Sequence, residues 1–249
     1  MSLEKALLDQ LSSLGSARVA VLARKLDVTE ETIRRLAKKL DGLGLVTKTH
    51  GAVHWREVSA EPSFDQRMKI QSGAKRRIAR SVADLVADGA SLFLDVGSTS
   101  AYVALALQTR RDLMVVTNSL AVATALTGRN GNRVFMAGGE LRAHDGGAFG
   151  QDALDFVGQF RVTHAILSVA AIDAKDGFLL QDLREAEFAR AIIARADDAT
   201  VAADATKFGG KAAIKIAPLG MFKRLVTDAA PPPDILAQLA LHEIALQIA

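Results

Sequence analysis

Hydroxyl, amide and glycine residues gather in three short runs: Asp95-Val96-Gly97-Ser98-Thr99-Ser100, Thr117-Asn118-Ser119 and Gly138-Gly139-Glu140-Leu141-Arg142. Each run closes or follows a short apolar stretch (91–95, 113–117 and 134–137), and the first two lead into helical periodicity. Small residues at a helix start leave main-chain N–H groups free, and these together with the helix dipole favour an anion. Hydroxyls and a side-chain amide add donors and acceptors suited to a polyhydroxy compound. Taken singly, each run is also what an ordinary helix cap looks like. Three at successive strand ends point to a phosphorylated polyol held by Asp95, Gly97, Ser98, Thr99, Ser100, Thr117, Asn118, Ser119, Gly138 and Gly139. Two later segments extend the set. Asp182 and Glu185 offer acceptors for sugar hydroxyls, or equally serve as the cap and first-turn acid of a helix. Lys207, just past an apolar stretch, offers a cation for phosphate or sits in solvent as a loop lysine.

A different chemistry occupies the first quarter. Residues 1–56 hold ten Lys/Arg against six Asp/Glu, whereas the other 193 hold 21 against 22, so the excess behind the net +3 lies at the N-terminal end. Ile33, Leu36, Ala37 and Leu40 form an apolar stripe at helical spacing, and Arg34, Arg35, Lys38 and Lys39 fall off it. A short helix held by one side and basic on the other suits DNA, where Arg reads guanine edges and Lys mostly contacts phosphate. The candidates for DNA contact are Thr32, Arg34, Arg35, Lys38, Lys39, Lys48 and His50. A small helical domain with a charged, partner-binding surface is the bland alternative.

These groups need elements to position them. Leu3, Leu7, Leu8, Leu11 and Leu14 recur at helical spacing up to Gly15, and Val19, Leu22, Ala23 and Leu26 form a second apolar face. Thr29-Glu30-Glu31 opens the basic helix with a natural cap and two acids facing the positive end of its dipole. Segments 45–50 and 53–56 flank Gly51-Ala52 and predict a hairpin, the wing of a winged helix-turn-helix. The expected division is a DNA-binding domain at 1–56, a linker at 57–73 and a ligand-sensing domain at 74–249. Within the last, a helix over 75–87 precedes apolar strands alternating with helices, which predicts an α/β domain with a mostly parallel sheet covered on both faces. Ligands in such sheets bind beyond the carboxyl ends of the strands, where the polar runs lie. With 49% apolar and 24% charged residues the chain reads as globular, and without cysteine it has neither disulfides nor thiolate metal sites. His144, His164 and His242 lack ligand spacing, so no metal and no cofactor is expected. Tyr102 and Trp55 read as packing residues. Neither a leader nor a membrane-length apolar run is evident, so a cytoplasmic location is expected.

The stretch from Val21 to Arg35, VLARKLDVTEETIRR, resembles the winged helix-turn-helix of the DeoR-type repressors, and His50-Gly51-Ala52 resembles the His-Gly-Gly-Ala that follows their recognition helix. The family's usual Asp-Leu after the arginine pair is Leu36-Ala37 here, and the second wing glycine is Ala52. The later runs, with Glu185 and Ala203-Asp204-Ala205-Thr206-Lys207-Phe208, resemble the family's sugar-phosphate sensor domain, which is similar to ribose-5-phosphate isomerase. Gly138–Arg142 with Asp145-Gly146-Gly147, Leu154-Asp155-Phe156 and Thr227-Asp228 is most similar to repressors of glycerol-3-phosphate regulons. A lysine often found four residues after Glu185 is Ala189 here, with Arg190 beside it.

The resemblance implies a repressor of a sugar or polyol operon, a dimer or tetramer on paired half-sites of double-stranded DNA, relieved by a phosphorylated effector such as glycerol 3-phosphate. Two other readings stand beside it. One is a sugar-phosphate isomerase with an appended DNA-binding module, with Glu185 or Asp182 as base. The other is a DNA-binding protein that answers only to a protein partner, its strand-end hydroxyls being plain caps.

Overall fold

The computed structural model describes residues 3–14, 16–42, 46–49, 51–55 and 62–249, which fall into two compact units, Met1–Arg67 and Met68–Ala249. The first unit runs α1 (Leu3–Leu14), β1 (Ser16–Arg18), α2 (Val19–Lys25), α3 (Glu30–Gly42), β2 (Val46–Thr49) and β3 (Ala52–Trp55). Leu7 and Leu11 of α1, Leu22 of α2, Ile33, Ala37 and Leu40 of α3, and Val46 and Val53 of the hairpin share one small core. Thr29 caps α3 by accepting from the Thr32 N–H at 3.2 Å. The hairpin forms as expected, with Gly51 in the left-handed region (φ 82°) at its turn. The sequence pattern gives no sign of β1. Its three residues carry no apolar alternation, and only antiparallel pairing with β3 makes Ser16-Ala17-Arg18 a strand.

Residues 57–61 of the segment read as linker lie outside the described residues. Further along, that segment carries the short helix α4 (Phe64–Lys69) and the first residues of α5 (Ser72–Asp84), which starts three residues earlier than the periodicity suggests. Ser63 and Gln66 cap α4 reciprocally, the Ser63 N–H donating to Gln66 Oε1 at 3.2 Å and the Gln66 N–H to Ser63 Oγ at 3.4 Å.

The second unit continues with β4 (Ser91–Leu94), α6 (Ser98–Ala106), β5 (Met114–Thr117), α7 (Leu120–Leu126), β6 (Arg133–Met136), α8 (Gln151–Val157), β7 (Val162–Leu167), β8 (Ala171–Asp173), β9 (Gly177–Leu180), α9 (Leu183–Ile193), β10 (Ala196–Ala202), β11 (Ile214–Lys215), β12 (Arg224–Thr227), α10 (Pro233–Leu241) and β13 (Ala245–Ile248). Seven strands form one sheet in the order β13-β12-β10-β7-β4-β5-β6, and every pairing in it is parallel. Successive strand residues face opposite cores, as a period of two requires. Leu92 and Leu94 pack with α5, α6 and α7, while Phe93, Ala165 and Leu167 pack with α8, α9 and α10. Tyr102 is buried as expected, and its hydroxyl donates to the Met68 carbonyl at 2.9 Å. A small antiparallel sheet, β11-β9-β8, was not foreseen; its hairpin turns on Asp173, whose carboxylate accepts from the Lys175 and Asp176 N–H groups.

Strand order reverses between β4 and β7. From β4 the chain builds outward through β5 and β6 on one side, then returns to β7 and builds outward on the other. A crevice beyond the carboxyl ends belongs at that point in a parallel sheet.

Candidate ligand crevice and nucleic-acid interface

On α3 the basic residues divide between two flanks. Arg34 and Lys38, four residues apart, share one and Arg35 and Lys39 the other; all four are exposed, and Arg34 is paired within the helix to Glu30 at 2.6 Å and Glu31 at 3.7 Å. Arg34 also joins Lys48, Thr49, Val19, Ala37 and Gly51 in lining a groove of about 370 Å³ between α3 and the hairpin. Lys39 pairs with Glu4 of α1 although its side chain stays exposed, so its ammonium helps hold α3 to α1. The Thr32 hydroxyl shares a hydrogen bond with Thr29 at 2.9 Å. Lys48 is exposed on β2, and His50 lies outside the described residues.

The candidate crevice begins at the end of β4. Asp95 is buried and bonded on both oxygens: Ser100 Oγ of α6 donates to one, and the Ser168 N–H donates to the other at 2.9 Å. The carboxylate thus ties the end of β4 to the start of α6 and the end of β7. Burial is the main force that pushes its pKa up to about 7; the serine bonds pull it down and the nearby Glu185 charge raises it further. Gly97 lies close to Ser168. A Cβ there would stand 2.1 Å from Ser168 Oγ and 3.1 Å from its Cβ, so a larger residue must turn aside the Ser168 hydroxyl.

Beside this turn, Lys75 of α5 is 4% exposed and donates from Nζ to Ser98 Oγ at 2.9 Å. An ammonium therefore stands at the N-terminus of α6 next to the main-chain N–H groups of its first turn. Thr117, Asn118 and Ser119 are fully buried at the end of β5. The Thr117 hydroxyl bonds to the Leu94 carbonyl at 2.7 Å, linking the ends of β5 and β4. Ser119 Oγ caps α7 by accepting from the Val122 N–H at 3.3 Å. Asn118 Nδ2 donates to the Ala148 carbonyl at 3.0 Å, while its Oδ1 is buried without a hydrogen-bond partner among the described residues.

Ala148 belongs to the segment after β6, which folds back on itself. Arg142 N–H donates to the Gly147 carbonyl and Gly146 N–H to the Arg142 carbonyl, each at 2.8 Å. From this hairpin the Arg142 guanidinium donates Nε to Asp145 at 3.0 Å, Nη1 to Asp182 at 3.2 Å and Nη2 to Glu185. It lies 4.4 Å over the Phe149 ring. Burial would raise the Asp145 carboxyl, but Arg142 outweighs it and holds Asp145 below the usual range. Asp182 is held low chiefly by the Arg184 side chain, and it also caps α9 by accepting from the Arg184 N–H at 2.8 Å.

Thus Asp95, Ser98, Ser100, Thr117, Asn118, Asp182 and Glu185 lie in one bonded or charge-coupled neighbourhood. Gly138 and Gly139 are exposed at the end of β6, and Lys207 is half-buried in a 3₁₀ turn capped by Asp204; none of the three shares a hydrogen bond with that neighbourhood. Sequence reasoning missed Lys75, Ser168 and the part played by Arg142. Lys75 looked like the polar start of a helix, and only the register of α5 against α6 turns it inward. Ala189, where relatives often carry lysine, is buried, and Arg190 beside it donates to the Lys215 and Ile216 carbonyls at 2.7 Å each, which holds β11.

Residues 70–229 match the DeoR C terminal sensor domain and residues 4–57 the DeoR-like helix-turn-helix domain. The chain is 35% identical over 243 residues to the glycerol-3-phosphate regulon repressor of Escherichia coli K12, covering 97% of this chain and 96% of that protein. It is 36% identical over 210 residues to the Haemophilus influenzae protein of that name (84% and 82% covered). To the Escherichia coli HTH-type transcriptional repressor CsqR it is 35% identical over 239 residues (96% and 91% covered). Ribose 5-phosphate isomerase from Plasmodium falciparum aligns with 55% of this chain at 12% identity and a TM-score of 0.40, and the aligned part is 53% of that structure. With both domains matched and three repressors similar over most of their length, the chain belongs to the DeoR family and is a DNA-binding transcriptional repressor, not an enzyme.

Proposed function

We propose that the sensor unit binds a phosphorylated polyol or sugar, with glycerol 3-phosphate the first compound to try, and that binding releases the operator. The phosphate meets Lys75 Nζ, Ser98 Oγ and the first-turn N–H groups of α6. The hydroxyls meet Asn118, Glu185 and the neighbouring serines. The observation that carries this reading is a nearly buried ammonium placed against Ser98 at a helix N-terminus, at the point where strand order reverses. The names of the curated relatives agree with a glycerol-3-phosphate regulon.

The division into a DNA-binding domain at 1–56, a linker at 57–73 and a sensor at 74–249 belongs to this proposal, as does a cytoplasmic dimer or tetramer on paired half-sites. Arg35, Lys38 and Lys48 contact DNA directly. Arg34 joins them by exchanging Glu30 and Glu31 for phosphate or a base. The effector acts by binding the DNA-incompetent arrangement more tightly.

A thermal-shift assay with glycerol 3-phosphate and a panel of sugar phosphates, each beside its unphosphorylated parent, tests the effector. Ligand at about 100 times its dissociation constant adds about 2.7 kcal/mol, a readily visible rise in Tm. The expected result is a rise with one phosphorylated compound and none with its parent, and loss of operator binding at the same concentrations. No rise across the panel would sink the proposal.

A further inference from the structure

Two helices meet at a bend where the chain enters the sensor unit. α4 ends at Lys69 and α5 starts at Ser72, and between them Gln71 has φ 52° and ψ 32°, in the left-handed region. That region is disfavoured about five- to thirtyfold for a residue with a side chain. A left-handed residue often closes a helix, but Gly or Asn usually supplies it. Neither Ile70 nor Gln71 is a helix breaker. With Gln71 in the right-handed region, residues 64–84 would form one continuous helix.

The bend is held from α6. The Met68 carbonyl, near the end of α4, accepts from the Tyr102 hydroxyl at 2.9 Å. In a continuous helix that carbonyl would instead accept from the Ser72 N–H, four residues on. The Tyr102 bond therefore stabilises the bent form and has no counterpart in the straight one. The Met68 side chain packs against the core shared by α5 and α6.

This bend adjoins the candidate crevice. Lys75, four residues after Gln71, donates its main-chain N–H to the Gln71 carbonyl and its ammonium to Ser98 Oγ, each at 2.9 Å. Ser98 and Tyr102 stand four apart on α6 and so share one face of it. One helix thus carries the Lys75 contact on its first turn and the grip on Met68 a turn further along.

Resting on the effector reading above, we infer that Gln71 is a two-state hinge and that Tyr102 is the residue that positions it. Effector bridging Lys75 and Ser98 holds the first turns of α5 and α6 together, keeps Tyr102 on Met68 and favours the bend. Departure of the effector lets residues 64–84 straighten, which re-aims α4, the helix through which the chain reaches the DNA-binding unit. The straight form is the one that binds DNA.

The chain has no cysteine, so a pair of spin labels can be placed without removing any. Asp65→Cys and Asp84→Cys, at two exposed positions, report the distance across the bend. A continuous helix puts their α-carbons about 28 Å apart, and the bend brings them closer. Pulsed electron paramagnetic resonance on the full chain, with and without glycerol 3-phosphate, compares the wild-type background with Tyr102→Phe and Gln71→Gly. The wild type is expected to show two populations, the shorter enriched by glycerol 3-phosphate. Tyr102→Phe lowers the short-to-long ratio roughly two- to tenfold, the effect of one hydrogen bond. Gln71→Gly raises it at least about fivefold, because Gly removes the left-handed cost and weakens the straight helix. General loosening of the fold cannot produce opposite shifts. One distance, the same in all three proteins, overturns the hinge, as do shifts in the same direction. A distance unmoved by glycerol 3-phosphate that nonetheless raises the Tm overturns the coupling and leaves the effector reading standing. No rise in Tm with the panel of phosphorylated compounds overturns the effector reading and the coupling with it, while the two variants still decide the hinge.

Discussion

The two units display their polar chemistry in opposite ways. In the N-terminal unit a small core holds α3 rigid, and Arg35, Lys38 and Lys48 stand in solvent. In the sensor unit Lys75, Asp95, Ser98, Ser100, Thr117, Asn118 and Ser119 are all buried. A groove of DNA is large and comes to an exposed side chain, so exposure costs nothing there. A small ligand must be surrounded, and each buried polar group then needs a partner within the protein or in the ligand. The same residue types are thus replaceable on α3 and structurally committed in the crevice.

Substitutions can break or sharpen that contrast. The largest effect is expected for Asp95→Ala, which leaves the Ser100 hydroxyl and the Ser168 N–H without their acceptor. It should destabilise the sensor unit by roughly 2–4 kcal/mol, seen by calorimetry, and a Tm within a degree of wild type would contradict the tie across β4, α6 and β7. Its titration adds a pH test. A carboxyl whose folded pKa is raised favours the folded state while protonated, so its contribution is full below the unfolded pKa near 3.8 and is lost as pH rises through about 7. Wild type should therefore lose stability from near pH 4 up to about pH 7 relative to Asp95→Asn, by a few kcal/mol at most. Equal slopes for the two proteins would remove burial as the cause.

On the exposed side, Arg35→Ala should cost roughly 1–3 kcal/mol of operator affinity if this arginine reads a base, with the sensor unit's Tm unchanged. Fluorescence anisotropy with operator DNA measures it, and undiminished affinity would remove Arg35 from the interface. Thr29→Ala, which deletes the α3 cap, should cost about 1 kcal/mol of stability in the N-terminal unit. The smallest effect separates two neighbouring lysines. Lys38→Ala should lower the salt slope of DNA binding by about one, whereas Lys39→Ala, whose ammonium pairs with Glu4, should leave the slope alone and cost under about 1 kcal/mol of stability. A slope that falls equally for both would put Lys39 on the DNA.

Much of this was legible in the sequence because two periodicities carried it. The stripe Ile33, Leu36, Ala37 and Leu40 gave α3 and its basic flank, and the apolar runs at 91–95, 113–117 and 134–137 gave the central strands and the end of the sheet where polar residues collect. What stayed hidden depended on contacts between distant segments. Lys75 is 23 residues from Ser98, and Arg142 is 40 and 43 from its partners on α9. No local pattern encodes those distances. Strand β1 was hidden for a related reason, since its identity lies in its partner β3. The same limit explains Lys39: spacing places it off the apolar stripe, but only the approach of α1 brings Glu4 within reach of its ammonium.

The position of β4 has a consequence for synthesis of the chain. β4 lies inside the sheet, with two strands on one side and four on the other, and it is the first of the seven to be made, its neighbours being added outward on one side before the other begins. A nascent sensor that has reached β6 owns Lys75, the α6 amides and Asn118, yet lacks Ser168, Asp182 and Glu185. Until Ser168 has left the ribosome Asp95 has only half its bonds, and until α9 follows Arg142 has only Asp145 to hold.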